Sequence, residues 1–131
     1  LNVTSILVDP YEPDTVYAAT LAGLYKTTDA AKGWKRIGES LADQMIIAMV
    51  LDRTRRGVIY ITGRDGVHRS EDGGSTWVVL NQGLSTTNIR TIAQSESNPA
   101  VFYAGTNGSG LYRSKDAGEN WEPMPVVGGK P

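Results

Sequence analysis

The 131-residue sequence contains no cysteine and only one histidine, His68. The absence of cysteine excludes disulfide bonds and thiolate chemistry, and it leaves the redox compartment undetermined. A single histidine excludes a histidine-based metal cluster or dyad, and we expect neither a metal site nor a cofactor. No apolar run approaches the roughly 20 residues of a membrane-spanning helix. The longest run, residues 45–51, has the length of a strand, so we expect no membrane span.

The sequence also lacks an excess of charge of either sign. Thirteen Lys and Arg oppose fourteen Asp and Glu, which gives a formal net charge of −1. The densest basic cluster is Arg53-Thr54-Arg55-Arg56, which we interpret as a solvated loop, with a local anion or nucleic-acid contact as the alternative. The composition therefore favours no nucleic-acid partner.

One eight-residue motif occurs three times, and we call its copies the first, second and third box. The second box is Ser70-Glu71-Asp72-Gly73-Gly74-Ser75-Thr76-Trp77, and residues 114–121 and 27–34 repeat it with substitutions. The box tryptophans are 43 and 44 residues apart. A period of this length indicates a repeat architecture.

Each repeat contains four short strand-like runs separated by turn residues. The first runs are Val3–Val8, Ile46–Leu51 and Ile89–Gln94, and the fourth runs begin at the box tryptophans. The second runs carry tyrosines every 43 residues, at positions 17, 60 and 103. The longest helical pattern, residues 39–44, allows a single turn. Four short strands per repeat predict an all-β chain of three four-stranded antiparallel β-propeller blades, over about residues 3–38, 45–82 and 88–125 of one segment covering residues 1–131.

The repeated box residues have local structural roles that every repeat requires. A carboxylate in the turn between the third and fourth strands can accept backbone N–H bonds, and a hydroxyl two residues earlier can join it. A glycine two residues later permits a positive φ, and the tryptophan buries its ring against the blade. A catalytic site normally occurs once, so we predict structural roles for Thr27, Asp29, Trp34, Ser70, Asp72, Gly74, Thr76, Trp77, Ser114, Asp116, Gly118 and Trp121. His68 occupies the position of Tyr25 and Tyr112, where packing is the favoured role.

The pattern Ser-x-Asp-x-Gly-x-Thr-Trp resembles the Asp-box, or bacterial neuraminidase repeat. That repeat is found in sialidases, sortilin-type receptors, xyloglucanase-type glycosidases and photosystem II assembly factors, and the resemblance covers almost the whole chain. The resemblance implies a propeller. It also favours an extracytoplasmic or secreted location, and no other feature of the sequence bears on the location. The sialidase arginine motif is not matched, because Arg36-Ile37-Gly38 lacks the proline and follows the first box. Xyloglucanase-type enzymes use two carboxylates on separate loops, whereas this chain offers Asp65 without a partner.

Polar residues that differ between the repeats are the candidates for ligand binding. The loops between second and third strands share one propeller face with the connections between blades. We predict that Arg64, Asp65, Asn107 and Ser109 contact a protein or glycan ligand there. The favoured function is a non-catalytic binding or scaffold module. The alternatives are a fragment of a carbohydrate-active enzyme with catalytic residues elsewhere, and a propeller fragment without independent function.

Three blades are fewer than the four to eight of a closed propeller. The two outer sheet faces would expose more apolar surface than a monomer normally tolerates. We therefore expect either a homodimer that forms a six-bladed ring or a longer chain that supplies further blades.

Overall fold

The computed structural model describes residues 2–41 and 44–125. It contains twelve strands and one short 3₁₀ helix at Glu39–Leu41, between β4 and β5. The strands are β1 Val3–Val8, β2 Val16–Thr20, β3 Gly23–Thr27, β4 Lys35–Ile37, β5 Ile46–Leu51, β6 Ile59–Gly63, β7 Gly66–Ser70, β8 Val78–Val79, β9 Ile89–Gln94, β10 Phe102–Thr106, β11 Leu111–Ser114 and β12 Glu122–Met124.

The strands form three antiparallel sheets of four, in chain order β1–β4, β5–β8 and β9–β12. The predicted all-β architecture is therefore confirmed. The first strand of each sheet coincides with its predicted range, whereas the fourth strands begin one residue after the tryptophans. The tryptophans end the box turns instead; the indole N–H of Trp77 bonds within its own turn, and that of Trp121 bonds to a residue next to the preceding sheet.

The first strands of successive sheets lie next to one another, with β5 contacting both β1 and β9. Two apolar clusters fill the spaces between the sheets. One cluster, between the first and second sheets, includes Tyr17, Ile59 and Ile61; the other, between the second and third, includes Tyr60 and Phe102. All five residues of β6 are buried, because this strand lies in the middle sheet and is covered on both faces.

The two outer sheets each have a face without a neighbouring sheet. Ile6 and Val8 on the first sheet are 65% and 53% exposed, although their counterparts Met49 and Leu51 belong to the cluster between the first and second sheets. Tyr103 on the third sheet is 37% exposed, whereas Tyr17 and Tyr60 are buried. The same repeat position is thus buried or exposed according to whether a further sheet covers it.

Candidate functional site

The second box closes the hairpin between β7 and β8 through its aspartate. Asp72 accepts hydrogen bonds from the hydroxyls of Ser70 and Thr76 at 2.7 and 2.6 Å, and from the backbone N–H groups of Ser75 and Thr76. The Thr76 hydroxyl is the largest cause of a lowered Asp72 pKa, followed by the backbone bond of the same residue. A carboxylate held in its ionised form by its own turn is poorly suited to donate a proton.

The third box keeps this network although asparagine replaces threonine. Asn120 donates its side-chain N–H and its backbone N–H to Asp116, at 2.8 and 2.9 Å. The Ser114 hydroxyl donates to the same carboxylate at 2.7 Å. The pKa of Asp116 is lowered mainly by the Asn120 side chain. Threonine and asparagine are interchangeable here because each supplies one side-chain donor.

The first box forms a reduced version of the turn. The Thr27 hydroxyl donates to Asp29 at 2.7 Å, and the Gly33 backbone N–H donates at 2.9 Å. The Thr27 hydroxyl is the main cause of a lowered Asp29 pKa. Gly33 has no side chain to give the second donor, so this carboxylate keeps one side-chain bond.

The turn also requires a positive φ at the residue two positions after each aspartate. Gly74 and Gly118 have φ values of 101° and 93°, and Ala31 adopts φ 71° at the same position of the first box. Positive φ is unfavourable for any residue with a Cβ atom, so the first box stores backbone strain that the glycines avoid.

The three box tryptophans differ in burial. Trp121 is 5% exposed and its indole N–H donates to the backbone carbonyl of Leu80, the residue after β8 of the second sheet, at 3.0 Å. Trp77 donates to the Gly74 carbonyl and packs against the cluster between the first and second sheets. Trp34 is 43% exposed. Trp77 and Trp121 thus face the preceding sheet, whereas Trp34 belongs to the first sheet, which no other sheet precedes.

A second set of contacts joins each sheet to the next box, and sequence reasoning did not find it. The hydroxyl of Tyr17 and the ammonium of Lys26 both donate to the Gly73 carbonyl at 3.1 Å. Tyr60 and Arg69 donate to the Ala117 carbonyl at 2.7 and 3.2 Å. We call this arrangement the turn clasp. The recurrence of tyrosine every 43 residues was its only signal.

The four predicted ligand-binding residues lie on two exposed loops at one edge of the sheets. Arg64 and Asp65 form the turn between β6 and β7, and Asn107 and Ser109 lie between β10 and β11. All four are exposed. Within the part of the chain that the structure describes, no hydrogen bond or ion pair joins the two loops, so each offers its groups separately to a ligand.

These loops are anchored through their backbones. The Asn81 side chain accepts a bond from the Val67 N–H at 2.8 Å and donates to the Asp65 carbonyl at 3.3 Å. The Asn107 N–H donates to the Asn88 carbonyl at 3.0 Å, which ties this loop to the connection between the second and third sheets. The loop backbones are therefore held while the tips of the side chains face solvent.

His68 has a buried environment. It is 7% exposed, and burial lowers its pKa. It pairs across the sheet with Ile61, as Tyr25 and Tyr112 pair with Ala18 and Ala104. The position suits packing, as its alignment with the two tyrosines predicts.

The described residues contain no group of three acidic or histidine side chains arranged to hold a metal ion. No helix within residues 2–41 and 44–125 has the length and apolar character of a membrane span.

Sequence comparisons find relatives among xyloglucanases. The chain is 26% identical over 117 residues to a xyloglucanase of Hypocrea jecorina, which covers 85% of this chain and 14% of the relative. It is 32% identical over 103 residues to an oligoxyloglucan-reducing end-specific xyloglucanase of Emericella nidulans, covering 68% of this chain and 12% of the relative. The chain thus spans a small part of the length of these relatives. No protein-family description matches the sequence.

Solved structures with the same fold include a GH74 enzyme and the protein YCF48. An ancestral GH74 enzyme superposes with a TM-score of 0.81 at 19% identity, over 95% of this chain and 18% of the other. The protein YCF48 bound to D1 peptide superposes with a TM-score of 0.71 at 20% identity, over 92% of this chain and 40% of the other. At these identities the likeness establishes the fold alone. The chain is an all-β arc of three β-propeller blades.

Proposed function

We propose that these blades form a non-catalytic part of a propeller that binds a glycan of the xyloglucan class through the loops carrying Arg64, Asp65, Asn107 and Ser109. The observation that carries this proposal is the difference in hydrogen bonding and exposure between the box carboxylates and the loop residues. The box carboxylates are occupied by their own turns, whereas the four loop residues are exposed on backbones held in place.

The chemistry of the loops suits a sugar polymer. An amide, a hydroxyl, a carboxylate and a guanidinium provide both donors and acceptors for sugar hydroxyl groups. The relatives in Hypocrea jecorina and Emericella nidulans are xyloglucanases, which favours this glycan class over others. Asp65 is a single carboxylate on these two loops, whereas glycoside hydrolysis by the usual mechanism requires a pair.

Binding and hydrolysis can be tested in one set of experiments. The chain and its Arg64→Ala/Asp65→Ala/Asn107→Ala variant are titrated with xyloglucan oligosaccharides by calorimetry, with cello-oligosaccharides for comparison. We expect the triple variant to bind at least about tenfold more weakly, since each lost hydrogen bond contributes on the order of 1 kcal/mol. A triple substitution of exposed residues elsewhere, Lys35→Ala/Thr54→Ala/Glu96→Ala, is the matched control. Unchanged affinity in the loop variant would contradict the proposal.

Two other outcomes would replace it with a different function. Release of reducing sugar by the chain would indicate an enzyme, and Asp65→Asn would show whether that carboxylate takes part. Peptide binding is the second candidate, favoured by the fold shared with YCF48, which was solved with a bound peptide. Binding to an unstructured peptide library without binding to glycans would support this candidate.

A further inference from the structure

The turn clasp occurs at both interfaces between sheets. Its donor positions recur on the third sheet, and its acceptor position recurs on the first sheet. In each existing clasp, the tyrosine and the cation are cross-strand partners: Tyr17 opposite Lys26 and Tyr60 opposite Arg69. The acceptor is the carbonyl immediately after the box aspartate of the next sheet. The clasp is therefore directional, with donors on one sheet and the acceptor on its successor.

The third sheet carries the donor half of a further clasp. Tyr103 lies opposite Arg113 in the same register, and the tyrosine is 37% exposed. Arg113 meanwhile pairs with Glu122 of its own sheet at 2.8 Å. The donor positions that Tyr60 and Arg69 occupy thus recur on the uncovered face of the third sheet.

The first sheet carries the matching acceptor half. Ala30 follows the aspartate of the first box and has φ 60°, close to the 62° of Ala117. Trp34 of the same box is 43% exposed, whereas Trp121 is 5% exposed against the second sheet. Ile6 and Val8 add apolar surface to this face. The two ends of the arc thus carry the donor residues and the acceptor carbonyl that form the clasp at the internal interfaces.

We propose that the uncovered face of the third sheet docks the first sheet of a second copy of this chain, with Tyr103 and Arg113 forming a turn clasp on the Ala30 carbonyl. Two equivalent head-to-tail contacts would close a six-bladed ring, within the four to eight blades that propellers use. The docked contact would continue the pattern of the two interfaces within the chain, and this proposal does not depend on which ligand the loops bind.

The charge at Lys32 should affect the affinity between the two copies, and it provides the test. Arg69 also pairs with Glu119 of the third box, at 2.9 Å. The first box has Lys32 at that position, so Arg113 would meet a like charge in the docked pair. Removing the repulsion should therefore tighten the association, a gain that a merely damaging substitution cannot produce.

The experiment compares the wild-type chain with Lys32→Glu by sedimentation velocity over a range of micromolar concentrations. We expect a species of twice the chain mass, with Lys32→Glu lowering the dissociation constant at least about fivefold. Lys35→Glu is the matched control, because it makes the same charge change. Its counterpart Val78 stays 51% exposed in a sheet covered on both faces, so the control should have no effect.

A second variant tests the hydrogen bond itself. Tyr103→Phe in the Lys32→Glu background should weaken the dimer about fivefold or more, whereas Tyr11→Phe, at another exposed tyrosine, should not. A Lys32→Glu chain that remains monomeric at every concentration would overturn the proposal and leave a blade of other origin as the occupant. Equal effects of Lys32→Glu and Lys35→Glu would also overturn it, because the gain would then be a general charge effect.

Discussion

The hydroxyl of Tyr60 donates a 2.7 Å hydrogen bond to the backbone carbonyl of Ala117, which lies 57 residues away in the next sheet. Burial raises the pKa of Tyr60 above its ordinary value of 10.0, so the hydroxyl keeps its proton at neutral pH. Tyr17 makes the equivalent bond to Gly73, and burial raises its pKa to about 12. These bonds join the outer turn of one repeat to the core of the preceding one.

Tyr60→Phe should lower the free energy of unfolding by about 1 kcal/mol, because the ring remains and only the hydrogen bond is lost. Urea unfolding followed by tryptophan fluorescence measures this change. Tyr103→Phe is the matched control and should leave the stability of the single chain unchanged, since its hydroxyl lies at an uncovered face. A Tyr60→Phe chain as stable as wild type would mean that the Tyr60 bond contributes nothing net.

The strain in the first box predicts opposite effects for opposite substitutions. Ala31→Gly should stabilise the fold by about 0.5–1 kcal/mol, because glycine adopts the φ of 71° without steric cost. Gly74→Ala should destabilise it by about 1–3 kcal/mol, because an added Cβ would lie 2.5 Å from the Ile37 Cδ1 atom.

Thermal and urea unfolding of both variants measure these changes. Ala48→Gly, in the extended strand β5, is the control for Ala31→Gly and should destabilise by about 0.5–1 kcal/mol. A stabilising Ala48→Gly would remove the explanation by backbone strain.

Replacing a box tryptophan with phenylalanine should lower the free energy of unfolding more where a neighbouring sheet covers the tryptophan. Trp121→Phe removes the N–H that serves the buried Leu80 carbonyl, and should cost about 1–3 kcal/mol. Trp34→Phe should change the stability of the single chain by less than about 0.5 kcal/mol, because Trp34 is 43% exposed. Denaturant midpoints for the two variants give the comparison, and equal losses would contradict it.

The box aspartates predict a loss of stability in acid. The folded-state pKa values of Asp29, Asp72 and Asp116 all lie below the ordinary value of 3.8. A lowered pKa contributes stability that is fully present above the unfolded-state value and is lost as the pH falls through the folded-state value. The free energy of unfolding should therefore fall as the pH drops from about 5 towards 2.

Asp72→Asn isolates the contribution of the second box. The variant should be less stable than wild type near neutral pH, because the amide nitrogen cannot accept the Thr76 hydroxyl bond. The difference should narrow as the pH falls, since wild type loses the same ionised acceptor by protonation. Urea titrations at several pH values measure the gap, and a gap independent of pH would exclude the carboxylate's charge as its cause.

Several elements were predictable because their signals are local. The ranges of β1, β5 and β9 follow from apolar runs bounded by turn residues, and the box hydrogen bonds follow from a hydroxyl, a carboxylate and a glycine at fixed spacing. The exposure of Arg64 and Asp65 follows from a two-residue turn between strands. Whether these residues bind a ligand stays a prediction, since exposure alone does not define a ligand.

The turn clasp was not predictable in the same way. Its acceptors are backbone carbonyls of Gly73 and Ala117, and every residue has such a carbonyl, so no residue type identifies them. The differing burial of Trp34 and Trp121 was equally hidden, because both occupy the same position of the same motif.

The sequence by itself determined the repeat, its four strands and the turn that closes each hairpin, because these depend on residues close together in the chain. Only the tertiary structure decided which side chains join one repeat to the next. Those contacts depend on how neighbouring sheets pack, so the three tyrosines of one repeat position become two buried donors and one exposed group. Packing thus converts three similar sequence units into a directional arc with two different ends.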